Sequence, residues 1–183
     1  MPTVITHAVV GVGAGIIVQG TDMSARFWTL SVVCSILPDA DVLAFRLGIP
    51  YSHWLGHRGF FHSVVFALIK GPVVTSVFFS GLGMFSEKWW RLAVYFSLLG
   101  ASHGLLDACT NGGLGIALLS PFTNHRYFFW FTPIEVAPLG VRAFLSEWGL
   151  AVMMSEFLWV WLPLGLAAVF CRWALELRLL PRV

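Results

Sequence analysis

Between Ser52 and Ser63 the chain carries His53, His57, Arg58 and His62, three imidazoles and a guanidinium set between apolar segments. Further along, His103 and Asp107 stand four residues apart, which on a helix puts both side chains on one face, a spacing suited to chelating a cation. Asp39 and Asp41 follow Pro38, and His7 lies near the start of the chain. Imidazole and carboxylate donors together suit zinc, and less specifically manganese or iron. The lack of thiolates among them points to catalysis rather than to a closed structural site. An ion held there would bring the pKa of a bound water toward neutrality and polarise a phosphoryl or acyl oxygen, and two ions about 4 Å apart would do both. The expected cofactor is one or two divalent ions, zinc first.

Spacing sorts these residues into roles. His57 and His62 are five apart and share no helical face, so His62 is expected as a ligand and His57 in support, with Gly59 turning the loop into the next helix. Asp39 and Asp41 are two apart and point in different directions on a regular helix, so one is expected on a given metal. The other would bridge a second ion, position water or, with His57, handle a proton. Asp39 is assigned to the metal and Asp41 to proton transfer, the choice between them staying open. A second polar island, Ser120 to Tyr127, holds His125 and Arg126; with Arg58 these are the candidates for gripping an anionic substrate group. Its alternative is an interfacial loop with aromatic anchors.

Each residue alone has an ordinary alternative. A lone His7 in a helix is more often a hydrogen-bonded core residue than a ligand. His103 and Asp107 could form a plain buried hydrogen bond, and Asp39 and Asp41 could cap helices or pair with Arg46 or Arg58. Lys70 is assigned no chemistry, as a snorkelling or internally paired cation. The metal reading rests on their falling together.

The elements that must position them belong to a membrane protein. Of 183 residues, 58% are hydrophobic and 11% charged, against roughly 25% charged in soluble domains, and the mean hydropathy is +0.82. Nine tryptophans and sixteen phenylalanines suit interfacial belts and lipid-facing surfaces. The pattern predicts one all-α domain over residues 1–183, a polytopic transmembrane bundle of about five spans: Val4 to Gln19, Phe27 to Leu47, Phe60 to Phe85, Trp89 to Cys109 and Leu150 to Trp173. Glycines 11, 13 and 15 of the first would let another helix approach closely. Between the last two, Leu114 to Leu119 is too short to span and is expected as a re-entrant or interfacial piece capping one face.

Lys and Arg divide six to four between the two sets of loops, which puts loops 21–26 and 86–91 and the tail with Arg172, Arg178 and Arg182 in the cytoplasm. The polar ends of four segments then share the non-cytoplasmic face, and ionisable groups at membrane depth are by default functional. The net charge of +2, with scattered basic residues, gives no stripe for nucleic acid, so no DNA or RNA binding is expected. Cys34, Cys109 and Cys171 have neither metal-ligand nor disulfide spacing. The start of the chain lacks the charged n-region of a cleaved signal, so the first segment is expected to be retained.

Thr6–His7, Leu37–Pro38–Asp39–Ala40–Asp41, His57 through Ser63, Ser102–His103–Gly104–Leu105–Leu106–Asp107 and Ser120–Pro121–Phe122 with Arg126–Tyr127 together resemble the bacterial inner-membrane proteins identified as membrane-bound metal-dependent hydrolases, a family also linked to LexA regulation. The likeness runs through about residue 135 and implies a hydrolase of the cytoplasmic membrane. The order His, Asp, His, then HisxxxAsp is also similar to zinc-dependent phospholipase C and the single-strand zinc nucleases. That likeness implies His7, Asp39 or Asp41, His62, His103 and Asp107 as ligands and a phosphoester as substrate. A later HisxxxGlu pair of that group is missing here, which implies one or two metals rather than three. The function expected from residues and resemblance is hydrolysis of a phosphoester or ester in a lipid-like substrate. Two other classes compete: an ion or proton transporter using the His/Asp cluster, and a non-catalytic membrane scaffold with a structural metal.

Overall fold

In a computed structural model of the protein, residues 1–19, 23–138 and 140–179 are described; Thr21 and Asp22 of the first loop and Arg182 of the basic tail lie outside them. The described chain is helical, with isolated bridges and no strand. The helices are α1 (Val4–Gln19), α2 (Ala25–Ile36), α3 (Leu43–Arg46), α4 (Val64–Phe78), α5 (Glu87–Ala108), α6 (Val141–Phe144), α7 (Glu147–Glu156) and α8 (Leu162–Leu179). Serines start three of them. The hydroxyls of Ser24, Ser63 and Ser86 accept the backbone N–H three residues on, at 3.3, 3.0 and 3.3 Å, and so satisfy a donor that the helix itself leaves free.

Two helical runs, Ala25–Arg46 and Glu147–Leu175, are long and apolar enough to cross a membrane; α1 and α4 are apolar but shorter. The third expected span is the one that differs most. It reaches not to Phe85 but to Phe78, because Phe79 to Ser86 turn back so that α5 can pack along α4. Gly11 of α1 lies where a side chain would strike the Ser31 carbonyl of α2, and Gly13 where it would strike Leu164 of α8. The close approach expected of that glycine-rich helix is therefore realised twice.

Much of the described surface is apolar, and the interior divides into an apolar end and a polar one. Leu68, Ile69, Val73 and Val77 of α4, Trp90, Val94 and Leu98 of α5, and Leu162, Leu166, Val169 and Phe170 of α8 are exposed, and apolar surface on this scale marks contact with a membrane or a partner. Inside, Phe27, Leu30, Val74, Tyr95, Phe96 and Leu99 form an apolar core at one end of α2, α4 and α5. At the other end, the turn after α2, the turn before α4 and the last turns of α5 carry Asp39, Asp41, His62, His103 and Asp107.

The run Leu114 to Leu119 forms no helix. Ile116 and Tyr127 exchange backbone hydrogen bonds, both 2.9 Å, Ala117 N–H donates to the Arg58 carbonyl at 3.0 Å, and Val64 N–H donates to the Leu118 carbonyl at 3.0 Å. Ile116 and Ala117 are buried. The run is irregular backbone seated on the start of α4, with these polar groups taken up within the protein.

Candidate metal centre

Pro38 shapes the centre. Having no N–H, it cannot bond the carbonyl four residues back, and the chain tightens into a 3-10 turn over Leu37–Val42. The Cys34 carbonyl so released accepts from Lys70 Nζ at 2.6 Å. Lys70 is buried and hydrogen-bonded to backbone, neither snorkelling nor, among the described residues, paired with a carboxylate. The next carbonyl, Ser35, accepts from His103 Nδ1 at 2.7 Å. A carbonyl can only accept, so Nδ1 carries the proton and Nε2 presents its lone pair. A tightened turn also sets residues two apart at about 120° rather than about 160°, which lets Asp39 and Asp41 flank one imidazole, that of His62.

Asp39, His62, His103 and Asp107 converge, each offering a ligand atom within 4.8 Å of the others, and His7 borders this group beside Asp107 and Asp39. His7 Nε2 lies 3.3 Å from Asp107 Oδ1 and 4.0 Å from Asp39 Oδ2; His62 Nε2 lies 3.6 Å from Asp39 Oδ1 and 3.4 Å from Asp107 Oδ2; His103 Nε2 lies 3.4 Å from Asp39 Oδ1. All are buried, and the three Nε2 atoms and both carboxylates have no hydrogen-bond partner. Buried polar atoms left unpaired are costly, about 1–3 kcal/mol each, so a group of them around one point requires an explanation. Donors at ~2.0–2.1 Å from a common tetrahedral centre stand ~3.3–3.4 Å from one another. Three of the separations match that spacing, those at 3.6 and 4.0 Å are wider, and all exceed the 2.7–3.2 Å of ordinary N–H···O bonds. Imidazole nitrogen and carboxylate oxygen are borderline donors that suit zinc and its neighbours. His7 and His103 stack at 3.7 Å between ring centroids.

A second layer surrounds this cage. Asp41 Oδ1 takes His57 Nδ1 at 2.6 Å, and Asp41 Oδ2 accepts Arg58 N–H at 3.1 Å and lies 2.9 Å from His62 Nδ1, somewhat off the line of a hydrogen bond. A carboxylate on the far nitrogen of a ligating histidine fixes its ring and raises its basicity. Asp41 therefore backs His62 while Asp39 faces the cage, which separates the two aspartates that spacing alone leaves open.

Arg58 is buried, with Nη1 donating to the Gly112 carbonyl at 2.7 Å, Nη2 to Thr110 Oγ1 at 3.0 Å, and Nε 3.4 Å from Asp107 Oδ2. Burial lowers its pKa from the usual value and Asp107 opposes that shift. Its backbone φ of 60° is left-handed, an uncommon conformation for a residue with a side chain. Such strain costs about 1–3 kcal/mol and persists only where surrounding contacts impose it.

The expected substrate-gripping trio is dispersed. Arg126 spends its donors on backbone, Nη1 to the His57 carbonyl at 3.1 Å and Nη2 to the Tyr51 carbonyl at 2.7 Å, with its guanidinium 5.4 Å over the Tyr51 ring. Through these bonds it buttresses the 51–58 loop, whose carbonyls have no helix or strand to bond, while its buried Nε has no hydrogen-bond partner. His125 is exposed and packs edge-on against Tyr127. His53 is exposed, its Nδ1 accepting Leu55 N–H at 3.2 Å.

Two apolar cavities approach the centre. One, about 460 Å³, is lined by His57, Arg58, Tyr51, Phe45, Val136 and Trp148 among others. Another, about 450 Å³, reaches Asp39 and is lined by Ile5, Val42, Val141 and Phe144. Both share Met1, Ala137, Pro138 and Gly140. One buried carboxylate escaped the sequence reading: Glu156, interrupting the apolar run from Leu150 to Trp173. The rule that flagged Asp107, an ionisable group at membrane depth, applies to it equally.

A family profile described as YdjM inner membrane protein matches residues 1–178. The inner membrane protein YbcI of Escherichia coli (strain K12) is 38% identical over 163 residues, which cover 89% of this chain and 92% of that protein. No solved structure matches the chain.

Proposed function

The chain belongs to the YdjM inner membrane protein family, and from that premise we propose that it is a membrane-embedded metal-dependent hydrolase acting on a phosphoester or ester bond of a lipid-like substrate. The observation that carries the reading is the cage of unpaired, buried imidazole nitrogens and carboxylate oxygens at ligand-to-ligand spacing. Asp39, His62, His103 and Asp107 would hold one divalent ion, zinc by donor type, with His7 joining the set through its approach to Asp107 and Asp39. Such an ion supplies Lewis acidity toward a phosphoryl or acyl oxygen and water of lowered pKa. The alternative grouping of Asp41, His57 and His62 has its donors turned on one another, which favours one ion over two.

The chain's own residues then divide the work. Asp41 holds His57 through Nδ1, which leaves His57 Nε2 as the base toward the cavity that His57 lines. Arg58 places a fixed positive charge at the same cavity wall while steadying Asp107. Both cavities are mostly apolar with a few convergent polar groups, as sites for apolar ligands are. In this reading α1, α4 and α5 join the two longer helical runs in a bundle of five spans. The centre lies at the non-cytoplasmic face, as the excess of Lys and Arg on the opposite loops suggests.

A transporter would need polar groups continuing to the other end of the bundle, where Phe27, Leu30, Phe96 and Leu99 pack instead. A structural metal is favoured by one feature, the burial of every donor residue of the cage to 6% exposure or less. The test is to purify the protein in mild detergent without chelator, measure metal by elemental analysis, and assay phospholipid and phosphodiester turnover. The hydrolase reading expects about one ion per chain and turnover that disappears in His103→Ala. Metal-free protein, or turnover surviving that substitution, would sink it, and a stoichiometric metal with no turnover on any substrate leaves the structural role.

A further inference from the structure

Glu156 is fully buried at the end of α7 and belongs to neither layer of the metal centre. Its Oε1 accepts the Thr3 backbone N–H at 2.5 Å, and its Oε2 accepts the Thr3 and Thr6 hydroxyls at 2.6 and 2.5 Å. Trp161 Nε1 adds a bond to Thr6 Oγ1 at 2.6 Å. Every one of these contacts falls on the start of α1. Thr3 precedes the helix, and its hydroxyl also accepts Thr6 N–H at 3.2 Å. The next residue is His7, whose N–H bonds the Thr3 carbonyl at 3.3 Å.

The last helix is deformed to make this possible. Phe157–Trp161 form a π-helical turn between α7 and α8. On an α-helix, side chains five residues apart diverge by about 140°. The wider π turn, bonded between residues five apart, brings Glu156 and Trp161 onto one side, and both reach Thr6. Such turns cost hydrogen-bond quality, and here the return is a negative carboxylate and an indole N–H delivered to one helix start. The first turn of α1 has N–H groups that the helix cannot satisfy, and in apolar surroundings they need partners. An acidic group also suits the positive end of the helix dipole.

We propose that Glu156 is a positioning residue for the metal centre: through Thr3 and Thr6 it fixes the first turn of α1 and so the aim of His7 Nε2 at Asp107 and Asp39. This rests on the metal reading of the cage. Ligand distances tolerate about 0.2 Å of error, so a first turn free to fray would lose His7 as a ligand while the helix behind it stays packed. The C-terminal helix, which carries none of the cage residues, thereby bears on metal affinity.

The test uses the full chain in detergent with Co²⁺ as probe, following its visible absorption during titration. Thr6→Val, which keeps shape and removes the hydroxyl, and Glu156→Gln are each expected to weaken Co²⁺ binding about 10- to 100-fold, the effect usual for residues that hold a ligand in place. Both should also alter the spectrum of the bound ion, since His7 is displaced from it. Thr6→Ser, which returns the hydroxyl, should restore affinity and spectrum together. The inference is overturned if Thr6→Val and Glu156→Gln lower the melting temperature yet leave affinity and spectrum at wild-type values, the mark of a merely structural contact. Should Glu156→Gln fail to fold, the Thr6→Val and Thr6→Ser pair decides alone. If the wild-type protein takes up no Co²⁺, the metal reading itself fails and this inference goes with it.

Discussion

The two ends of α2 and α5 present opposite solutions to burial. At one end Phe27, Leu30, Tyr95, Phe96 and Leu99 pack together, and the polar atom among them is paired, Tyr95 Oη to Ser31 Oγ at 2.8 Å. At the other end, within the same α5 and just past the end of α2, His103, Asp107 and Asp39 are as deeply buried and yet leave Nε2 and both carboxylates without partners. One end minimises free energy within the chain; the other holds donors apart at distances that only a further atom would satisfy. On the proposed metal reading, stability and binding are carried by different stretches of the same region, and the contrast can be broken from either side.

The largest effect is expected at the apolar end. Phe96→Ala should cost about 3–5 kcal/mol by removing a fully buried ring, read as a lower denaturation midpoint in detergent, while the metal affinity of the remaining folded protein stays unchanged. At the polar end, His103→Ala should weaken metal binding by more than the about 100-fold that supporting residues account for, measured by titration with Zn²⁺ or Co²⁺. Metal-free stability should fall as well, because the substitution also removes the Nδ1 bond to the Ser35 carbonyl and a buried ring stacked on His7. Adding metal at about 100 times its Kd should stabilise the wild-type protein by about 2.7 kcal/mol, and should leave His103→Ala unmoved in the same melting experiment. Asp41→Asn, which leaves the cage intact and alters the group behind His62, should reduce affinity about 10- to 100-fold. The smallest effect is expected for His125→Ala at the exposed loop, within about 0.5 kcal/mol in stability and with metal affinity unaltered; a loss of affinity there would return His125 to the centre.

How far each residue could be read follows from how local its geometry is. His103 and Asp107 were legible because a regular helix fixes the relation of residues four apart, whatever surrounds it. Asp39 and Asp41 were legible as a pair and not as individuals: Pro38 changes the turn, and only the position of the His62 ring between them gives the cage to Asp39 and the support to Asp41. Arg126 fits a substrate clamp by charge and setting, and is instead occupied by carbonyls of a loop some 70 residues away in sequence. Glu156 was missed because its partners, Thr3 and Thr6, lie more than 145 residues distant and are reached only through a π turn that no periodicity announces.

By itself the sequence determined the membrane class, the helical content, and the kind of chemistry its histidines and aspartates are suited to. Those properties are set by transfer free energies and by backbone periods that act over a few residues. The tertiary structure alone decided which carboxylate faces the cage, which arginine is committed to backbone, and that the far end of the chain anchors the turn before His7. Each of these depends on pairings between distant segments, where packing, and not spacing along the chain, sets which atoms meet.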